Sequence, residues 1–408
     1  MSHASYYSQR RRMRDSSHQR RRMGAIHPCI IASHPGPFRC VHLTCCYMAP
    51  HDRALRRWLR SLADKRVEDL IFVNRPFPLD VYLPADVLLI SSLRRLYLGF
   101  WYFPDIPGLP AGPQVFPHLR EIGLCSTVIS AGEIEYLLQC SPVLETLAII
   151  LSTNPSSHVR VGSRSLRCAV LWMSMAREVA VVATPRLERL ILWQTCPGAP
   201  SGVFPTNVKI GYAPELRVLG YLEPSIHALE IGNTVIQPGT RMSPANMVPS
   251  VKILALKVRF GIRKETKMLP TFLRCFPNVE TLHVMSDEAD EPSGKCNLKF
   301  WQEVAPIDCL EAHVKKVVFS QFRGKRMELA FLRFILERTQ MLEKLVVGLV
   351  NGDTALEDDE TCTKLKALAM ARRVSECPMT VLVVARQGDS AWCFRRASDL
   401  SASDPFDG

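Results

Sequence analysis

The sequence predicts an α/β solenoid, with an open parallel sheet on its concave face and short helices or extended segments on its convex face. Three observations carry this reading. A six-residue pattern with apolar residues at its first, fourth and sixth positions recurs along the chain, most copies start 21 to 29 residues apart, and proline often falls just before a copy. That period is the leucine-rich-repeat period. A single strand unit of this kind cannot bury its apolar side alone, so it stacks on its neighbours and builds a surface suited to holding another macromolecule.

Taken in order, the copies are Val67/Leu70/Phe72, Leu93/Leu96/Leu98, Leu119/Ile122/Leu124, Leu144/Leu147/Ile149, Leu166/Ala169/Leu171, Leu187/Leu190/Leu192 and Leu216/Leu219/Tyr221. Later copies start at Ile226, Val251, Val279, Val314 and Leu342, with outlying gaps of 10 residues before Ile226 and 35 before Val314. Phe38–Leu43 alternates like a strand and opens the array. His51–Lys65 carries apolar residues at i, i+3, i+4 and i+7, the spacing of an amphipathic helix facing the sheet. Further helices are expected at Glu133–Gln139, Pro270–Cys275 and Arg326–Arg338. Pro117, Pro142, Pro185, Pro214, Pro249 and Pro277 end what precedes them and set the chain extended for the next strand. Between the closely spaced middle copies, Val159–Val161 and Val179–Val182 read as extended β rather than helix. Ser286–Glu291 and Asn351–Thr361 read as acidic surface loops.

Four regions follow: a disordered basic tail (1–37), the repeat solenoid (38–299), a C-terminal cap (300–385) closed by a last strand at Thr380–Ala385, and a disordered tail (386–408). The chain has 408 residues, of which 47% are hydrophobic and 22% charged, enough for a large core. Its net charge is +12, half of it from Arg10, Arg11, Arg12, Arg14, Arg20, Arg21 and Arg22 against Asp15. The body is therefore only mildly basic, which argues against a broad nucleic-acid surface and leaves nucleic acid as an unfavoured partner. The first residues lack the apolar run of a signal peptide, and no stretch is long enough to span a bilayer. The 14 cysteines include no Cys-x-x-Cys pair, so they read as reduced thiols of a cytoplasmic or nuclear protein, many in apolar repeat positions such as Cys125, Cys140, Cys168 and Cys275.

No nucleophile elbow, zinc-protease helix, phosphate-binding loop or dinucleotide fingerprint is present, so an enzyme is not expected, nor a cofactor or metal. Binding is the sharper reading. In each copy the apolar positions face the core, and the residues between and just after them face the concave side. Candidate binding residues there are Arg95, Tyr97, Trp172, Arg189, Trp193, Lys257 and His283, with Ile191 and Glu230 at equivalent positions. Trp172 and Trp193 are one repeat apart and should lie on adjacent rungs. Trp and Arg together are the composition of an interface anchor.

The segments Ser91–Leu98, Phe116–Leu124, Ser141–Leu147, Pro185–Leu190 and Phe276–Leu282 resemble the plant F-box/leucine-rich-repeat proteins of the FBD class, the grass members in particular. The FBD-like part would run from Phe300-Trp301 through Cys309-Leu310, His313–Val317 and Phe322–Gly324 to Glu328–Leu345. The resemblance implies a protein-interaction scaffold similar to the substrate-recognition part of an SCF-type ubiquitin ligase, in which an F-box docks the adaptor and the repeats hold the target. Residues 1–37 are too few and too polar for an F-box, so adaptor docking is not expected of this chain. Leu83–Leu89 mimics the opening of an F-box but lies between two solenoid strands. The alternative is a nuclear or RNA-associated binding protein that uses the Arg-rich tail.

Overall fold

The computed structural model describes residues 36–46, 48–75, 80–152, 158–194, 196–197, 205–224, 226–288, 298–349, 363, 365, 380–385 and 394–407. The basic tail at 1–35 and the acidic loop at 351–361 lie outside them. The chain divides into two compact units, Met1–Ile129 with Tyr136–Leu144, and Ser130–Glu135 with Glu145–Gly408.

In the first unit, strands β1 (Cys40–Cys46), β2 (Asp69–Asn74), β3 (Arg95–Gly99) and β4 (Glu121–Cys125) pair in that order, all parallel. Leu70, Phe72, Leu96, Leu98, Ile122 and Leu124 are buried on the core side. Helix α1 (Asp52–Asp64) covers that side, burying Leu55, Trp58, Leu59 and Leu62, the stripe its spacing demands. Each such residue contributes roughly 1.5–3 kcal/mol by leaving water. The F-box-like Leu83–Leu89 stretch forms a 3-10 turn, Ala85–Leu89, with Val87 and Leu88 buried and Asp86 accepting from Arg60 Nε of α1 at 2.7 Å. Leu83, Val87 and Leu88 therefore belong to the solenoid core, and Leu89 is exposed.

Strands leave the sheet through one left-handed residue, as at Phe100 (φ 59°) after β3 and Ser126 (φ 46°) after β4. In the second unit Leu151, Met173 and Gln194 do the same (φ 53°, 49° and 48°). This conformation costs a non-glycine residue roughly 1–2 kcal/mol. The turn aims the amide at the next rung: Leu151 N–H donates to the Trp172 carbonyl and Met173 N–H to that of Trp193, both at 2.8 Å.

Helix α2 (Ala131–Cys140) precedes the second unit's first strand. There, β5 (Thr146–Ile150), β7 (Cys168–Trp172), β10 (Arg189–Trp193), β13 (Val218–Leu222), β16 (Ile253–Val258), β17 (Thr281–Ser286), β18 (Lys316–Phe322), β19 (Lys344–Leu349) and β20 (Thr380–Ala385) form one parallel ladder. On the other side of the middle rungs the chain is extended, as the β-branched runs indicate. The strands β6 (His158–Val161), β9 (Glu178–Ala183), β12 (Thr206–Tyr212), β14 (His227–Ile231) and β15 (Thr234–Val235) make a second sheet, while β8 (Met175–Ala176) and β11 (Cys196–Pro197) pair with each other. The copy starting at Ile226 is thereby corrected. It is β14 of the second sheet, which explains the 10-residue gap before it. Glu230 accordingly lies beside Lys209 and Asn207, not on the concave face.

Helix α3 (Arg263–Cys275) starts about two turns earlier than expected, with Pro270 inside it. After α4 (Leu298–Glu303) and α5 (Asp308–Ala312), helix α6 (Arg326–Arg338) follows β18. Glu265 of α3 and Glu328 of α6 are buried and accept backbone N–H groups of the preceding loop, from Arg259 in one case and from Arg323 and Lys325 in the other. Each carboxylate satisfies donors at a helix start. Trp301, Phe319, Phe331 and Phe334 pack into one aromatic cluster. Burial pushes the Cys275 and Cys309 thiols up to about 12, consistent with unreactive core cysteines. No helix among the described residues is long and apolar enough to cross a membrane.

The expected disordered tail at 386–408 is corrected over 394–407. These residues form helix α7 (Phe394–Ser398) and a turn, and Ala397 and Phe406 enter the second unit's core. Ala397, Leu400 and Phe406 supply the apolar contacts that hold the segment in place.

Candidate functional site

The alternation of β5, β7, β10 and β16 leaves Ala148, Cys168, Val170, Ile191 and Ala255 on the concave side, and all are buried beneath residues 394–407. In β13 a register shift between Leu219 and Leu222 breaks the alternation. A side chain at Gly220 (φ 141°) would collide with the Ala255 carbonyl, so only glycine lets the two strands approach here. The bulge places Tyr221 edge-on to Trp193 (5.0 Å between ring centres) and to Phe406 (5.1 Å).

Four cationic or polar groups hold the segment. The Arg189 guanidinium, 4% exposed, donates to the carbonyls of Ala397 (3.1 Å), Asp399 (2.8 Å) and Ala402. Cys168 Sγ donates to the Ala397 carbonyl at 3.6 Å. His283 Nε2, on a side chain 2% exposed, lies 2.9 Å from Asp404 Oδ2, and its ring meets Phe406 at 5.5 Å. The Lys316 ammonium is bonded to Asp407 and lies 3.8 Å from Asp404. Burial alone raises the Asp404 carboxyl. The hydrogen bond and charge of His283, the Phe406 N–H and the Lys316 charge outweigh it and hold the carboxyl below its usual range.

His283, Asp404 and Asp407 bring three potential metal-ligand atoms within 4.8 Å of one another. The Lys316 ammonium contacts both carboxylates, so the same groups form an ion-pair network.

Of the residues expected on the concave face, Arg189 and His283 are buried under the segment, and Trp172 and Trp193 are half-buried at its margin. The two tryptophans lie in register on neighbouring strands. Lys257 is half-buried between Glu223 (3.3 Å) and Asp287 (3.1 Å), and burial pushes the Glu223 carboxyl up despite that ammonium. Arg95 and Tyr97 lie in the first unit. Arg95 is exposed and makes a bidentate pair with Asp69 at 2.8 and 2.6 Å, and Tyr97 donates to Glu121 Oε1 at 2.6 Å. A Cβ on Gly123 would lie 2.7 Å from the Tyr97 ring, so glycine makes room for that tyrosine. Sequence reasoning missed Lys316, Asp404, Phe406 and Asp407. Lys316 sits two residues after the start of a recognised copy, one strand position before its core valine, which was the available signal.

Residues 55–284 match the family model described as FBD-associated F-box protein At5g56370, LRR repeats, and residues 302–347 match the FBD family model. No curated protein matches the chain.

Proposed function

Since the chain belongs to the family of leucine-rich repeats of FBD-associated F-box proteins, we propose that it is the target-recognition part of an SCF-type ubiquitin ligase receptor. It acts by binding a protein target in the cytoplasm or nucleus, not by catalysis of its own. The observation that carries this reading is the concave ladder of the second unit, where Arg189, Trp193, Tyr221, His283 and Lys316 surround a peptide segment of the kind such a face would hold. A buried aromatic and Arg cluster of this type dominates the energy of protein interfaces. Leu83, Val87 and Leu88 of the F-box-like stretch are buried, which supports a reading in which that stretch does not dock an adaptor.

The test is to fuse the chain behind an F-box of known adaptor affinity and reconstitute the ligase in a plant extract. Ubiquitin remnants are then mapped by mass spectrometry. Conjugates should be lost with Trp193→Ala and Lys316→Glu and kept with Arg333→Glu on the outside of α6. An identical set of conjugates from all three variants overturns the reading.

A further inference from the structure

We infer that residues 394–407 are a built-in occupant of the recognition surface, and that the partner which displaces them is a peptide segment carrying an aromatic ring between two carboxylates. The inference rests on the reading above and states the chemistry of the target. The segment closely matches what lies under it.

Three side chains of Asp404-Pro-Phe-Asp407 meet receptor groups. Asp404 meets His283 and Lys316, Phe406 fits between Tyr221 and His283, and Asp407 meets Lys316. The Asp404 side chain also accepts the Phe406 N–H at 3.0 Å, which folds the motif into a compact turn with ring and carboxylates on one side. Upstream, Arg189 reads three backbone carbonyls, contacts that any main chain in this path can supply. The receptor groups are cationic or aromatic, and the segment answers them with carboxylates, carbonyls and one ring. This charge complementarity selects an acidic–aromatic peptide over a basic or purely aliphatic one.

The segment is also built to leave. Its secondary structure is one five-residue helix and turns. It adds no strand to the ladder, so no sheet hydrogen bond is lost when it goes. Among its described side chains, Ala397, Leu400 and Phe406 make its apolar contribution. A tethered ligand of this size competes as an intramolecular partner at a high effective concentration and raises the threshold for a target without abolishing binding.

The probe is a fluorescein-labelled peptide of residues 394–408, titrated against the full chain. The parent chain should bind it weakly. The full-chain variant Asp404→Ala/Phe406→Ala should bind it at least tenfold more tightly, and the peptide bearing the same two substitutions should not bind. A variant that melts like the parent and yet binds neither peptide, or both equally, overturns the proposal. Should that variant fail to fold, full-chain Asp407→Lys, altered at the rim of the contact, takes its place. It should gain several-fold in affinity for the parent peptide, and the absence of a gain overturns the proposal. Adding Lys316→Glu to the Asp404→Ala/Phe406→Ala chain should abolish that binding, and a peptide with lysine at position 407 should restore it. Loss without rescue counts against recognition of the motif. The measurement needs neither target nor ligase. If peptide exchange fails while conjugation still depends on the concave face, this inference alone falls. If the peptide binds and no conjugate depends on that face, the ligase reading falls and this one stands.

Discussion

Arg95 of the first unit and Arg189 of the second begin equivalent strands of the same repeat, yet one is exposed beside Asp69 and the other is buried under a segment more than 200 residues downstream. The difference lies in their neighbours. In the first unit the concave positions that begin the strands, together with Tyr97, are polar and satisfy one another across rungs, as Arg95 does with Asp69 and Tyr97 with Glu121, beside half-buried Ile71 and Val73. Such a surface is stable in water. In the second unit the corresponding positions are Ala148, Val170, Ile191 and Ala255. A contiguous apolar patch of that kind is covered in soluble proteins or marks an interface. Here residues 394–407 cover it. Position in the repeat thus decides which way a side chain points, and the composition of the rungs decides what that side needs.

The comparison breaks most completely at the core. Leu190 is buried between rungs on the opposite side from Arg189. Leu190→Asp places an unpaired charge there and should cost more than about 4 kcal/mol. Amide exchange protection should vanish across β7, β10 and β13. A cooperative melt at the parent temperature would show that these rungs do not form one core.

The next effect sharpens the contrast between the two arginines. Arg189→Ala leaves three carbonyls without their cationic donor and should cost about 2–3 kcal/mol. Arg95→Ala removes a partly solvated pair and should cost less than about 1 kcal/mol. Urea titrations of both variants measure this. Equal losses would mean that burial beneath 394–407 adds nothing, and the distinction between the two faces would collapse.

Periodicity made the ladder legible, because core leucines repeat at the strand period wherever rungs stack. The extended segments of the second sheet were legible from their valine runs. The Ile226 copy misled because Leu229 and Ile231 alternate like a rung, and the pattern records that a strand has one buried side, not which sheet it joins. The site was legible in half. Trp172, Trp193, Arg189 and His283 follow from position. Their occupant does not, since Asp404 lies 121 residues from His283 and Ser401–Asp407 is mostly Ser, Asp and Pro, the composition of a loop. One phenylalanine within it supplies the aromatic contact, and no local pattern announces that.

The smallest effect tests whether the segment is held by charge. The Asp404 carboxyl lies below its usual range in the folded chain, because the His283 bond, the Phe406 N–H and the Lys316 charge outweigh the burial that would raise it. A carboxyl depressed in this way contributes stability that is fully present above its ordinary value of about 3.9 and is lost as pH falls through the folded value. The Asp404 carboxylate's own contribution should therefore be lost only as pH falls below about 4. Fluorine resonance from 4-fluorophenylalanine at position 406 reports that ring's surroundings directly. Its shift should move toward the free-peptide value below about pH 4 in the parent chain. Asp404→Asn keeps a hydrogen-bonding group beside His283 but cannot titrate, so its resonance should show a flatter response to acid and a weaker hold at neutral pH. Superimposable acid curves for the parent and Asp404→Asn would assign the hold to Phe406 packing and leave the carboxylate without a role in it.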